Sequence, residues 1–251
     1  MRVEPTEIGS IIHCTKRGGR GLNIVRDKSD CWRFIRSLYY LNDAYFDQYW
    51  FRLSDKQNQI SDKKLGTGKI IFYRPDNWPP QNPLVNILAF TLLDNHFHLL
   101  LEEIKKDGIS SFMQKLGQSM SNHFNEKYLT KGSIFQGSYR GKVVRDDKYL
   151  LWLAPYIMLK NTFEMHPKGY EWAVQNFDDA WLWAIKYPFT SLADYISGRQ
   201  SPIVNPELLK RIIGRPDEFK RLCKDMIHGR ENIVTSEDNG EMNDLISGQF
   251  E

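Results

Sequence analysis

The stretch LVNILAFTLLDNHFHLLLE, residues 84–102, decides the fold. Two apolar runs flank Leu93-Asp94-Asn95, a turn-forming triplet, so the stretch reads as a β-hairpin. Alternate residues of an extended strand leave on the same side. His96 and His98 therefore project together, while Phe97 and Leu99 face the other way. Two imidazoles on residues about 7 Å apart along a strand can clasp one divalent ion. Left without partners in an apolar strand, they would instead cost desolvation free energy. The pattern is short and common, and on its own it more often marks satisfied core or surface histidines.

Working outward, residues 8–15 (IGSIIHCT) predict a first strand, followed by the glycine- and arginine-rich turn KRGGRGLN. From Ser29 to Tyr45 the residues Trp32, Ile35, Leu38 and Leu41 recur at helical spacing, with Asp27 and Ser29 as N-cap candidates. Residues 53–68 are polar and predict an exposed loop. KIIFYRP reads as a short strand or an insertion, ended by the proline-dense NWPPQNP. Beyond the hairpin, Ser110–Lys127 predicts an amphipathic helix with Phe112, Leu116, Met120 and Phe124 on one face. TKGSIFQGSYRGKVVRDD alternates like an edge or hairpin strand. A further helix is expected from Asp147 to Lys160, with Pro155 as its kink or its start. Two short helices, beginning at Pro206 and Asp217, predict either a packing appendage or a helix-turn-helix DNA reader.

The bulk numbers bound the function. The composition, 41% hydrophobic and 26% charged over 251 residues, is that of a globular protein. No apolar run approaches the roughly 18 residues that cross a bilayer, so no membrane partner is expected. The opening MRVEPTEIGS lacks the basic-then-apolar layout of a secretion signal. Three widely spaced cysteines, Cys14, Cys31 and Cys223, give no CxxC metal site and fit a reducing interior. The expected address is cytoplasmic. The net charge is +3, but residues 229–251 alone carry −5, leaving +8 on the other 228 residues. That balance suits a polyanionic partner and equally an ordinary lysine-rich surface.

With those segments in order, the chain resembles the HUH-type single-tyrosine transposases, most closely their REP-associated branch. IIHCTKRGGRG resembles the family's opening strand and turn, and AFTLLDNHFHLLLE its two-histidine strand. SSFMQKLGQSMSNHFNEKY is similar to the helix that follows. GSIFQGSYRGKVVRDDKYLLWLAPYI resembles the approach to the nucleophile helix, and YPFTSLADYISGR an aromatic-serine motif past the catalytic domain. The resemblance spans roughly residues 8–200 and is weakest over 46–80. It implies an α+β fold, an antiparallel ferredoxin-like (RRM-like) sheet flanked by helices with the metal-binding strand central.

The resemblance also implies a reaction. A tyrosine attacks a phosphodiester of single-stranded or hairpin DNA, leaving a 5′-phosphotyrosine link and a free 3′-hydroxyl. Matching YLLWLAPYIMLKN places this role on Tyr156, with Tyr149, seven residues earlier, as the decoy on nearly the same helical face. A phenol with a pKa near 10 needs activation or charge stabilisation. Mg²⁺ or Mn²⁺ held by His96 and His98 is the implied source. Relatives work as monomers or as homodimers that exchange the tyrosine helix, and both stay open here.

One departure matters. The family usually carries a glutamine or asparagine ligand four residues after the tyrosine, where this chain has Lys160. Asn161 is one residue late, roughly 100° around an α-helix. Either a distortion near Pro155 brings Asn161 into place, or Lys160 contacts the phosphate, or activity is lost. Arg17 and Arg20 in the glycine-rich turn, with Gln136, Tyr139 and Arg140, are the candidate DNA contacts, each equally readable as ordinary turn chemistry. His13 reads as structural and His123 has no assigned role. The rival to a strand transferase is a hairpin-DNA-binding protein that has lost cleavage. A small-molecule metallohydrolase would need more histidines and an aspartate on later strands. The expected organisation is a catalytic domain over 1–185 with a variable insertion at 46–80, a small helical region over 186–228, and an acidic disordered tail over 229–251.

Overall fold

A computed structural model describes residues 7–52 and 72–229. Within them, β1 (Ile11–Arg17), β2 (Val85–Leu92), β3 (His96–Glu103) and β4 (Arg140–Val144) form one antiparallel sheet in the order β2-β3-β1-β4. Helix α1 (Lys28–Tyr40) separates β1 from β2, and α2 (Gly108–Tyr128) separates β3 from β4. This βαββαβ order with its 4-1-3-2 sheet is the ferredoxin-like arrangement. The two-histidine strand β3 is central.

Alternation sorts the sheet into two faces. Ile12, Cys14, Phe97, Leu99 and Leu101 share one face and are fully buried. There Phe97 packs on Phe34 of α1, ring centroids 5.0 Å apart. Phe112, Leu116 and Met120, one helical turn apart on α2, are equally buried. The α1 helix starts where the Asp27 carboxylate accepts the amide hydrogens of Ser29 and Asp30 at 2.9 and 3.1 Å. It ends at Tyr40, short of the expected Tyr45. Between the helices lies the fully buried Asp30 carboxylate, bonded by His123 Nε2 (2.9 Å), Lys127 Nζ (2.7 Å) and Tyr128 Oη (2.7 Å). His123, without a role from sequence, is thus an inter-helix tie.

The other face of the sheet carries a composite helix. Helix α3 (Asp147–Pro155) is capped by Asp146, whose carboxylate accepts the Tyr149 amide hydrogen at 2.7 Å. It widens into a π turn at Tyr156–Lys160 and resumes as α-helix over Asn161–Glu164. Pro155 lacks the hydrogen for the bond to the carbonyl four residues back, and its ring crowds that carbonyl. The widening follows immediately, as helix distortions at proline do.

The outer edge of β2 is covered by residues 189–191. Leu92 N–H bonds the Phe189 carbonyl, and Phe90 and Ser191 exchange hydrogen bonds, all at 3.0 Å. The aromatic-serine motif therefore occupies an edge that would otherwise expose unpaired backbone. The helices Glu207–Ile213 and Pro216–Ile227 pack on the composite helix through the buried Leu209, Phe219 and Cys223. Of the strand expected in KIIFYRP, residues 72–75 are non-regular and 69–71 fall outside the described residues. So do the predicted polar loop at 53–68 and, from residue 230 onward, the predicted acidic tail. Among the described residues no helix is long and apolar enough to cross a membrane.

Candidate active site

Pairing register places Thr15 beside His98 and Arg17 beside His96 on β1, and Thr91 beside His98 on β2. On the other flank, His13 pairs with Lys142 and Thr15 with Arg140. Directly paired residues share a face. His13, Arg17, His96, His98, Arg140 and Lys142 therefore all lie on the face opposite α1 and α2.

Three imidazoles meet there. The His96 and His98 rings are 5.0 Å apart, and His98 stacks on His13 at 5.1 Å with 16° between planes. Tyr156, at the start of the π turn, stands edge-on to His98 at 5.5 Å and to His13 at 6.2 Å. Its other side stacks on Trp152 at 5.1 Å, and Trp152 in turn on Tyr149 at 6.1 Å. The expected pair and the expected nucleophile are thus together, while Tyr149 stands two rings away. Tyr156 itself is 3% exposed.

Burial holds all three histidines neutral. It lowers His13 to about 3, helped by Lys142, and His96 to about 4, helped by Arg17 and Lys160. His98 is pushed well below the ordinary imidazole value, first by burial, then by His13, His96 and Lys160. A neutral imidazole keeps the lone pair that a metal needs.

Hydrogen bonds decide where the His96 lone pair sits. Asn95 Nδ2 donates to the Gly21 carbonyl at 3.3 Å, so Asn95 Oδ1 is the atom that faces His96 Nδ1 at 2.6 Å. His96 Nδ1 must then carry the proton, and Nε2 the lone pair. Nε2 of His96 and Nε2 of His98 are both buried without a hydrogen-bond partner. The glycine-rich turn braces this arrangement: Gly18 N–H bonds the Asn95 carbonyl at 2.7 Å, and Ile24 N–H bonds that of Asp94 at 2.8 Å.

The helix is distorted at the late asparagine. Asn161 N–H bonds the carbonyl of Tyr156, five residues back. Residue 161 thereby stacks above residue 156, as residue 160 would in an α-helix. Asn161 is fully buried, and neither its Oδ1 nor its Nδ2 has a partner. Two buried threonines hold the turn open: Thr91 Oγ1 donates to the Ile157 carbonyl, and Thr190 Oγ1 lies 3.2 Å from that of Met158. Lys160 is turned aside into an ion pair with Glu164, its ammonium 5.4 Å from the Tyr156 ring centre. Among the described residues no group of three or more His, Cys, Asp or Glu is placed to hold a metal. The partnerless buried nitrogens and amide of His96, His98 and Asn161 are instead of the types that take a divalent cation.

Of the expected DNA contacts, Arg17 and Arg140 reach the histidine face. Arg20 and Gln136 are exposed on the adjoining turns, Gln136 N–H bonding the Arg17 carbonyl at 3.0 Å. Tyr139 does not join them: it is half-buried, with its hydroxyl 3.3 Å from Ser110 at the start of α2. Sequence reasoning missed the proximity of His13 and Lys142, the Asn95 brace and the Thr91–Thr190 clamp. Only pairing register, which one sequence does not disclose, puts His13 beside the site.

Residues 81–160 match the family model described as "Transposase IS200 like", a span that runs from just before β2 to the end of the π turn. A solved structure described as "Structure of the REP associates tyrosine transposase bound to a REP hairpin" superposes over 82% of this chain and 90% of its own, with a TM-score of 0.44 and 11% identity. No curated protein sequence matches the chain. The segment 81–160, which holds both strand histidines and Tyr156, is thus similar to the IS200-like transposases.

Proposed function

We propose that this protein cuts and rejoins single-stranded DNA at hairpins through a 5′-phosphotyrosine intermediate, and so carries out DNA transposition. The Tyr156 oxygen attacks the phosphorus of a phosphodiester. An O–P bond forms as the P–O3′ bond breaks, the phenol loses its proton, and the departing 3′-oxygen takes one up. The reverse step, with a different 3′-hydroxyl as nucleophile, rejoins the strand without an outside energy source.

His96, His98 and Asn161 are the residues that would hold Mg²⁺ or Mn²⁺. Such an ion, when bound, supplies Lewis-acid polarisation of the scissile phosphate. The chain's own residues do the rest. Trp152 stacks on the Tyr156 ring and fixes its direction. Arg17, Arg140 and Lys142 add positive charge along the same face, where a phosphate backbone would be neutralised. Arg20 and Gln136 extend that track. The observation that carries this reading is the apposition of the Tyr156 ring and His98 at 5.5 Å, beside lone pairs that nothing else occupies.

The 3% exposure of Tyr156 favours a second reading, a hairpin-DNA-binding protein that does not cleave, because a covered nucleophile must be uncovered before a phosphate reaches it. A labelled single-stranded hairpin incubated with the protein and Mn²⁺ separates the two. The strand-transferase reading expects a denaturation-resistant protein–DNA adduct that disappears in Tyr156→Phe. Tight binding with no adduct supports the second reading, and an adduct that survives Tyr156→Phe overturns the choice of nucleophile.

A further inference from the structure

His13 is a buried histidine on β1 that the reaction above does not use, and it makes one resolved polar contact: its Nε2 lies 2.9 Å from Nδ1 of His98. Between two neutral imidazoles a single proton occupies that bond, so one of two tautomer pairs is present. In the first, His13 donates, and His98 is left with a hydrogen on the buried Nε2, a donor with nothing to meet. In the second, His98 donates from Nδ1 and its Nε2 keeps a lone pair, while His13 carries its hydrogen on Nδ1, which is also buried without a partner, so each pair leaves one unmet donor and the choice rests on what the neighbouring groups present.

The neighbouring strand position shows which of the two fits. His96 is bound at Nδ1 by Asn95 and presents a bare Nε2 on the same face. Rings 5.0 Å apart that both present lone pairs make a site for a cation, whereas one lone pair beside one N–H does not. Ligating histidines commonly hold their second ring nitrogen against an acceptor that fixes tautomer and ring direction.

We infer that His13 is a positioning residue: it accepts the Nδ1–H of His98, and so turns the His98 Nε2 lone pair toward the cation. The proposal rests on His96 and His98 being metal ligands, and it gives His98 the counterpart of what Asn95 gives His96. The contact is geometrically firm, because the two rings are also stacked at 5.1 Å on adjacent strands.

Imidazole ¹⁵N–¹H spectra of the metal-free, histidine-labelled protein read the tautomer directly. A His98 protonated at Nδ1 and bare at Nε2 supports the inference, and the Nε2–H tautomer overturns it, whether or not any variant folds. Mn²⁺ titration by calorimetry gives the second arm. His13→Leu is expected to weaken Mn²⁺ binding by about 10- to 100-fold with unchanged circular dichroism, and His13→Gln, which restores an acceptor, to recover it to within about threefold of wild type. A folded His13→Leu protein with wild-type affinity overturns the inference. If the wild-type protein itself binds no Mn²⁺, the metal reading fails, while the spectrum still decides the tautomer.

Discussion

The backbone N–H of Asn161 bonds the carbonyl of Tyr156, five residues back rather than four. That one extra residue in the turn places an amide where an α-helix would have placed Lys160. An ammonium cannot ligate a cation, so under the proposed reading this register is what lets the turn offer a ligand.

Exchanging the two residues' fates tests this. Asn161→Ala removes a proposed ligand and should weaken Mn²⁺ binding at least about tenfold by calorimetry, comparable to losing a supporting residue or worse. Lys160→Ala should leave affinity unchanged or slightly improved. Its charge disfavours cations near His96 and His98, and its ammonium is already engaged by Glu164. A larger loss in Lys160→Ala than in Asn161→Ala would show the α-helical register to be the working one.

At the π turn the Ile157 carbonyl accepts from Thr91 Oγ1, and that of Met158 from Thr162 Oγ1 at 2.8 Å, with Thr190 Oγ1 at 3.2 Å. Thr91→Val keeps the shape but strands a buried carbonyl, at an expected loss of about 1–3 kcal/mol in urea unfolding. Thr190→Val acts on the same turn, so the double variant should lose less than the sum of the singles. Strict additivity would mean that the two hydroxyls stabilise unrelated features.

Much of this was legible before any coordinates. The hairpin at 84–102 could be read because its turn triplet and its period-2 pattern agree. The α2 stripe Phe112–Leu116–Met120 could be read because helical spacing is a local property. The site was legible only in part. His96 and His98 are two residues apart, so strand geometry alone puts them on one face. Tyr156 was reached through family likeness, since nothing local separates it from Tyr149. A distortion near Pro155 is one of three sequence readings of the late asparagine, and its π form is not legible there, because Thr91 and Thr190 lie 66 and 32 residues from the carbonyls they meet. The two helices at 207–213 and 216–227 pack on the composite helix and bury Leu209, Phe219 and Cys223, a long-range contact that their local spacing does not disclose.

The Asp30 cluster predicts acid sensitivity. Burial alone would raise its carboxyl, but Lys127, the Arg26 backbone N–H, Tyr128 and His123 together hold it below the ordinary aspartate value. A carboxyl depressed in the folded state stabilises the protein above the unfolded value near 3.8, and that contribution disappears as pH falls through the lower folded value. Asp30→Asn should therefore cost about 3 kcal/mol at pH 7, the low end for breaking a buried pair because Lys127 keeps Asp27. It should also flatten the decline in stability below pH 4. Equal acid limbs in the two proteins, followed by thermal melts from pH 2 to 7, would assign the sensitivity elsewhere.

Gly18 links the arginine-rich turn to His96, a proposed metal ligand. A Cβ at this position would come within 2.0 Å of the Leu22 carbonyl oxygen, a backbone atom that cannot swing away. Gly18→Ala must therefore displace the turn, and with it the Asn95 carbonyl that Gly18 N–H bonds and the Gly21 carbonyl that orients the Asn95 amide. The expected outcome is a loss of about 1–3 kcal/mol from overpacking. Mn²⁺ affinity should fall as well, because His96 Nδ1 would lose its fixed partner. Asn95→Ala isolates the second effect: it leaves the glycine turn unclashed but frees the His96 ring, and should weaken Mn²⁺ binding about 10- to 100-fold. Were Asn95→Ala to bind Mn²⁺ as wild type does, the orientation of His96 would owe nothing to this bond, and the Gly18 effect would be one of stability alone.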